Sequence, residues 1–131
     1  MTPLAILVAE DEENIRLLLE EWLQPLGHTV ASAPNATEAF KLLKKQRFDL
    51  VVTDIVMPDG DGLKLIEELR KTPPIPRILA ISGGGRFMDG EDYLKMARGF
   101  GADAALMKPF AREKFLAAIT QAMAPQKQPG A

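Results

Sequence analysis

The chain has 131 residues, no cysteine, a formal net charge of -2, and a composition that is 47% hydrophobic and 26% charged. That length suits one domain with its own core. The lack of thiols excludes disulfide frameworks, thiolate metal sites and thiol nucleophiles, and the weak negative charge argues against general affinity for nucleic acid or membranes.

In chain order, Leu4-Ala5-Ile6-Leu7-Val8-Ala9 is a continuous apolar run of strand length, as expected of a strand buried on both faces. No apolar run is long enough to span a bilayer. Met1-Thr2-Pro3-Leu4 lacks the basic start of a secretory signal, so a cytoplasmic location is expected. Four acidic residues follow the first run, Glu10 to Glu13, and then Ile15, Leu18, Leu19, Trp22, Leu23 and Leu26 fall on one helical stripe. Pro25 and Gly27 close that helix, and His28 to Ala33 reads as a short edge strand. Asn35 with Glu38 three residues on predicts a capped helix that buries Ala36, Ala39, Phe40 and Leu43.

The run Asp49-Leu50-Val51-Val52-Thr53 ends in Asp54, and the turn Pro58-Asp59-Gly60-Asp61-Gly62 follows. Leu63, Ile66 and Leu69 mark a third helix, ended by Thr72-Pro73-Pro74. Arg77 to Ser82 is a fourth strand, leading into Gly83-Gly84-Gly85. A helix from about Gly90 places Tyr93, Leu94, Ala97 and Phe100 on one face; Ala104 to Met107 is a fifth, short strand. Phe115, Ala118, Ile119, Ala122 and Met123 outline the last helix, and residues 125–131 read as a flexible tail after a domain of residues 1–124.

Five strands alternating with five helices predict an α/β fold: a doubly wound, flavodoxin-like parallel sheet in the order 2-1-3-4-5. In such a sheet the carboxyl ends of strands one, three, four and five open on one edge. Glu10 and Asp11, Asp54, Ser82 and Lys108 follow or end those strands. Three gathered carboxylates repel unless protonated or paired with a cation, and oxygen donors alone suit a hard ion, Mg²⁺ before Zn²⁺. A carboxylate at such a centre, beside a lysine and a hydroxyl, is equipped to accept a phosphoryl group with Asp54 as nucleophile.

Over about residues 4–123 the chain resembles the receiver domains of two-component response regulators, either as a stand-alone domain like the chemotaxis regulators or as the receiver of a longer protein whose linker begins near Ala124. The matching segments are Ile6 to Glu12, Asp54 to Gly62, Ile81-Ser82, and Gly101-Ala102-Asp103 followed by Lys108-Pro109-Phe110. Each alone is weak; all of them in order are specific. The resemblance implies that Asp54 is the phosphoacceptor, fed by a histidine kinase or histidine phosphotransfer protein. It implies direct Mg²⁺ ligation by Asp11, Asp54 and the backbone carbonyl of Val56, with Glu10 acting through water. Ser82 and Lys108 would contact the phosphoryl group, and the Lys108-Pro109 bond would be cis. Output would pass from the surface of helix four, strand five and helix five to an output protein the sequence does not identify. The chain would act as a monomer or a phosphorylation-dependent dimer, with no direct nucleic-acid or membrane binding. It would not be an enzyme beyond self-phosphorylation and autodephosphorylation.

The chain departs from the family pattern in three places. Glu10 stands where an aspartate is usual, Ala105 where an aromatic rotor is usual, and the loop from Gly83 to Gly90 is longer than common. Without that rotor, the change on phosphorylation is expected in residues 83–95. The alternative from another class is a Mg²⁺-dependent aspartyl-phosphate phosphohydrolase, whose usual second acid two positions after the nucleophile is here Val56. Blander roles suit other residues. Glu12 and Glu13 are first-turn acids, Asp59 and Asp61 turn and cap residues, and His28 an exposed turn residue. The triple glycine reads as a mobile loop rather than a phosphate loop. Met57, Met107 and Trp22 are expected in the core.

Overall fold

The computed structural model of the chain describes residues 2–57, 62–83 and 89–125. Strands β1 (Ala5–Ala9), β2 (Thr29–Ala33), β3 (Leu50–Asp54), β4 (Arg77–Ser82) and β5 (Ala104–Met107) form one sheet. Helices α1 (Glu13–Leu23), α2 (Ala36–Lys45), α3 (Gly62–Lys71), α4 (Gly90–Phe100) and α5 (Arg112–Met123) alternate with them. The strand order is β2-β1-β3-β4-β5, and every neighbouring pair is parallel. The flavodoxin-like order expected from the sequence is present. Parallel pairing aligns the carboxyl ends on one edge, and the order reverses between β1 and β3, where open sheets of this kind place their sites.

The period-two alternation of strand side chains sorts the apolar runs into two cores. Ile6, Val8, Leu50, Val52, Leu79 and Ile81 face α1 and α5, where Leu19, Leu23, Phe115 and Ile119 cover them. Leu7, Ala9, Val51, Ile78 and Ala80 face the other way, under Ala39 of α2, Leu65, Ile66 and Leu69 of α3 and Ala97 of α4. Fully burying each large aliphatic side chain contributes about 1.5–3 kcal/mol, which explains why strands covered on both faces read as unbroken apolar runs.

Helix ends follow local chemistry. Asn35 Oδ1 accepts the Glu38 N–H at 2.8 Å to start α2, as expected, while the Glu38 carboxylate pairs with Lys41 at 3.1 Å. Asp89 caps α4 the same way through the Asp92 N–H. The Lys108-Pro109 bond is cis, as is Pro73-Pro74.

Several side chains lie elsewhere than expected. His28 is buried, not exposed: its Nδ1 accepts the Leu4 N–H at 3.0 Å, extending the β1–β2 pairing by a side-chain rung. Met107 is 44% exposed because β5 stands at the edge of the sheet. Leu18 and Phe100 are also exposed, since the stripes of α1 and α4 are wider than the sheet surface they cover, and Leu26 is exposed in a 3-10 turn (Gln24–Leu26) beyond the end of α1. Met57 is buried and Trp22 half-buried, as expected. The expectations for Asp59, Asp61, Gly84, Gly85, Phe87, Met88 and the tail from Gln126 fall outside the described residues. No helix among the described residues is long and apolar enough to cross a membrane.

Candidate functional site

Asp54 is the last residue of β3, only 5% exposed, and is fixed from several sides. Its Oδ1 accepts the Val56 N–H at 3.0 Å, and its backbone carbonyl accepts the Thr53 hydroxyl at 2.9 Å. The Ile55 N–H continues the β3–β4 ladder to the Ile81 carbonyl at 3.0 Å. Gly62 closes in behind. Its N–H donates to the Ile55 carbonyl at 2.6 Å, and a Cβ at position 62 would stand 2.0 Å from the Asp54 backbone oxygen. Only glycine tolerates that approach.

Lys108 enters from the end of β5. Its N–H donates to the Ser82 carbonyl at 2.9 Å, which aims the side chain back across the sheet edge. Its Nζ lies 2.7 Å from Asp54 Oδ2 and 2.6 Å from Glu10 Oε1, with the exposed Glu12 carboxylate at 3.8 Å. The contact to Asp54 is a directed hydrogen bond. The contact to Glu10 is an ion pair whose angles are not those of a hydrogen bond, so Oε1 stays buried without a directed partner. Charge attraction at this distance does not depend on those angles, so the pair stands.

Glu10 is fully buried. Its N–H donates to the Ala33 carbonyl at 3.0 Å and its Oε2 accepts the Glu12 N–H at 3.1 Å. Burial pushes the Glu10 carboxyl up to about 7, against the lowering pull of Lys108 and with help from the nearby Asp54 charge. Burial works against the charge on Lys108 too, but its bonds to Asp54 and Glu10 prevail and raise it above the ordinary lysine value.

Among the described residues, carboxylate oxygens of Glu10, Asp11 and Asp54 lie within 4.8 Å of one another. Hard oxygen donors from three acids at this spacing, one of them a buried oxygen lacking a directed hydrogen bond, fit a divalent cation of the Mg²⁺ kind. Glu10, Asp11, Asp54 and Lys108 are therefore brought together at the carboxyl edge of the sheet. Ser82, fully buried, ends β4 one residue beyond Ile81, the register partner of Asp54. Val56 lies two residues past Asp54, tied to it by its N–H. Ala105 pairs with Ala80 on β4.

The contacts of three residues that shape the site escaped the sequence reading. Arg16 Nη1 donates to the Glu10 carbonyl at 2.9 Å and the Asp11 carbonyl at 3.1 Å, clamping the loop that carries both acids. A cation so near the start of α1, where the helix dipole disfavours it, was the available signal. Glu12 reaches toward Lys108, and Gly62 approaches Asp54; no sequence pattern marks either contact. A groove of about 620 Å³ opens at the opposite end of the sheet, between Phe40, Phe48, Ile75 and Arg77, and shares no residue with the site.

The model of the family "Response regulator receiver domain" matches residues 6–120. The chain is 35% identical to "Probable transcriptional regulator ycf27" of Cyanidium caldarium, over 87% of its own length and 44% of that protein's. It is 34% identical to "DNA-binding transcriptional regulator NtrC" of Azospirillum brasilense, over 100% of its own length and 26% of that protein's. The chain thus spans less than half the length of these relatives. Among solved structures, it superposes on the signal receiver domain of an HD domain-containing protein from Pseudomonas fluorescens Pf-5. There the TM-score is 0.82 at 27% identity, with 92% of this chain and 94% of that one covered.

Proposed function

The chain belongs to the response regulator receiver domain family, and from that premise we propose that Asp54 is the residue that accepts the phosphoryl group. The observation that carries the assignment is the Lys108 ammonium 2.7 Å from Asp54 Oδ2, with Glu10 and Asp11 close by. A carboxylate oxygen of Asp54 attacks phosphorus as the bond to the donor's leaving atom breaks, leaving an acyl phosphate on Asp54. Lys108 and the Ser82 hydroxyl neutralise and bind the transferred oxygens. Asp11, Asp54 and the Val56 carbonyl would hold Mg²⁺, with Glu10 beside them; bound there, the ion supplies charge neutralisation at the transferring group. Arg16 keeps the loop bearing Glu10 and Asp11 in register with Asp54.

The donor is a histidine kinase or histidine phosphotransfer protein in the cytoplasm, and residues 1–124 form the working unit. The domain catalyses only its own phosphorylation and dephosphorylation. It acts as a monomer or a phosphorylation-dependent dimer and passes the state to an output partner, without itself touching nucleic acid or membrane. A phosphohydrolase reading is not favoured, because Val56 occupies the place of the second acid that such enzymes use to protonate a leaving group.

Acetyl phosphate with Mg²⁺ should label the chain once, through an acid-labile bond. Asp54→Asn should abolish the label. Lys108→Ala should leave a folded protein that binds Mg²⁺ and signals poorly. Undiminished single-site labelling of Asp54→Asn would sink the assignment.

A further inference from the structure

The groove at the amino edge of the sheet has an apolar floor and a cationic rim. Phe40, Leu43, Phe48 and Met123 line its volume of about 620 Å³, and Ile75, itself 40% exposed, forms part of its wall. Lys44 and Lys45 end α2, Arg47 follows just beyond, and Arg70 and Lys71 end α3. The helix dipole favours lysines at the end of α2, but Arg47 lies outside the helix. Among the described residues, Lys44, Lys45 and Arg47 are exposed and join no ion pair. Two acids also line the groove, but Asp49 already accepts the Ala5 N–H and Glu68 is half-buried. The wall from Pro73 to Pro76 carries one backbone N–H, that of Ile75, because proline has none. An extended segment would find few backbone partners there, whereas a helix satisfies its own backbone and presents only side chains.

The outer face of α1 supplies the complement. Leu17 and Leu18 are 54% and 40% exposed, and Glu13 and Glu21 stand one turn either side of Leu17. Arg16, the one cation of this helix, is turned to the carbonyls of Glu10 and Asp11. Exposed leucines between carboxylates on one molecule thus match an apolar groove among cations on another. Since α1 covers one face of the sheet and α2 and α3 the other, no copy can fill its own groove.

We propose that the chain associates head to tail with a second copy of itself, the outer face of α1 seating Leu17 and Leu18 in the amino-edge groove of the neighbour. Glu13 and Glu21 face Lys44 and Arg47 across the contact, which fixes its orientation. The contact is heterologous: each copy offers one surface and receives with another, so it can repeat along a row of copies. It needs no phosphoryl group, which separates it from a phosphorylation-dependent dimer. One helix face in one groove is small beside the about 1,200–2,000 Å² of stable interfaces, so the association is weak and salt-sensitive.

Sedimentation of the unphosphorylated full chain, at concentrations up to about 1 mM, reads the contact. The average mass should climb with concentration at low salt and fall back to the monomer at high salt. Leu17→Asp and Ile75→Asp alter exposed side chains, and melting curves establish that each variant is folded. Each alone should stay monomeric. Mixed in equal amounts they should form dimers and nothing larger, because one intact α1 face then meets one intact groove. Glu21→Lys and Arg47→Glu repeat the test through charge: either alone should weaken association several-fold, and both in one chain should restore it.

A wild type that stays monomeric throughout overturns the proposal and leaves the groove to a different partner. Association surviving in Leu17→Asp alone or Ile75→Asp alone, or no dimer in their mixture, overturns it as well. Deleting residues 126–131 should leave the association unchanged, since their one charge, Lys127, repeats the sign of the rim. Loss of association with those residues removed would make them the occupant of the groove and likewise defeat the proposal.

Discussion

Among the described residues, Glu10 and His28 are buried groups whose protonation folding shifts, and they pull stability in opposite directions. The Glu10 carboxyl is raised from 4.5 to about 7, chiefly by burial. Between those values the folded chain holds a proton that the unfolded chain has lost, so the Glu10 contribution is full below pH 4.5 and falls away as pH rises through 7. His28 is lowered from 6.5, first by burial and then by the charge of the amino terminus. Its contribution is full above pH 6.5 and falls as pH drops toward its folded value, because the unfolded imidazole charges first. The two slopes overlap, so wild-type stability alone separates neither. The difference between wild type and Glu10→Gln should decline with rising pH from 4.5 to 7. The difference between wild type and His28→Asn should grow over the upper part of that window. Urea titrations at half-unit steps of pH measure both, and parallel curves for Glu10→Gln and wild type would remove the buried, proton-holding carboxyl from the account. Neither effect was legible from residue type. His28 follows a turn glycine and reads as exposed, and only the β1–β2 pairing reveals the Leu4 N–H that draws its ring inward.

Gly62 joins two elements by the closest backbone approach in the site. A methyl group there would meet the Asp54 oxygen at 2.0 Å and the Ile55 Cα at 2.8 Å, backbone atoms that cannot swing aside. Gly62→Ala must therefore part the start of α3 from the end of β3. The expected loss is about 2–3 kcal/mol, the upper range for overpacking, together with slowed labelling by acetyl phosphate. Gly101→Ala is the control. Its φ of 116° and the Arg70 side chain 2.9 Å from the added methyl also cost stability, but α4 ends away from Asp54 and labelling should hold. Slowed labelling in both variants, scaling only with lost stability, would deny Gly62 a local effect. Element identity itself was legible. A strand covered on both faces must be apolar throughout, which is how β1, β3 and β4 read, and Asn35 marks the start of α2 by the chemistry of its side chain. What sequence periodicity lacks is the width of the covering surface, so Leu18 and Phe100 belong to apolar stripes yet face water. The edge position of β5 likewise exposes Met107, which composition places inside.

At the scale of the molecule, the sheet gathers charge that no single element would tolerate, and the outcome depends on how far Lys108 already offsets it. The three carboxylates were legible as a cluster because the strand order aligns their ends. The direct Glu10–Lys108 contact was not, since it depends on a side-chain length acting across two strands. With Lys108 at 2.6 Å and 2.7 Å from two of the three acids, the cluster is partly neutralised before any cation arrives, and a cation held as proposed would share Asp54 with the ammonium. Mg²⁺ at 100 times its dissociation constant should stabilise the fold by about 2.7 kcal/mol. For a chain of this size that is roughly a 10 °C rise in melting temperature. Lys108→Ala removes the competitor, so at one fixed Mg²⁺ concentration its rise should exceed that of wild type. The variant should also begin from a lower melting temperature, because Glu10 and Asp54 lose their partner. That deficit should stay below the 3–5 kcal/mol of a broken buried pair, since Glu10, poised near neutrality, can take up a proton instead of standing charged. Differential scanning fluorimetry of wild type, Lys108→Ala and Asp54→Asn across a Mg²⁺ series checks the ordering: the largest rise in Lys108→Ala, the smallest in Asp54→Asn. A wild-type melting temperature that stays flat across the series, or a smaller rise in Lys108→Ala than in wild type, would show that lysine and cation do not compete for Asp54.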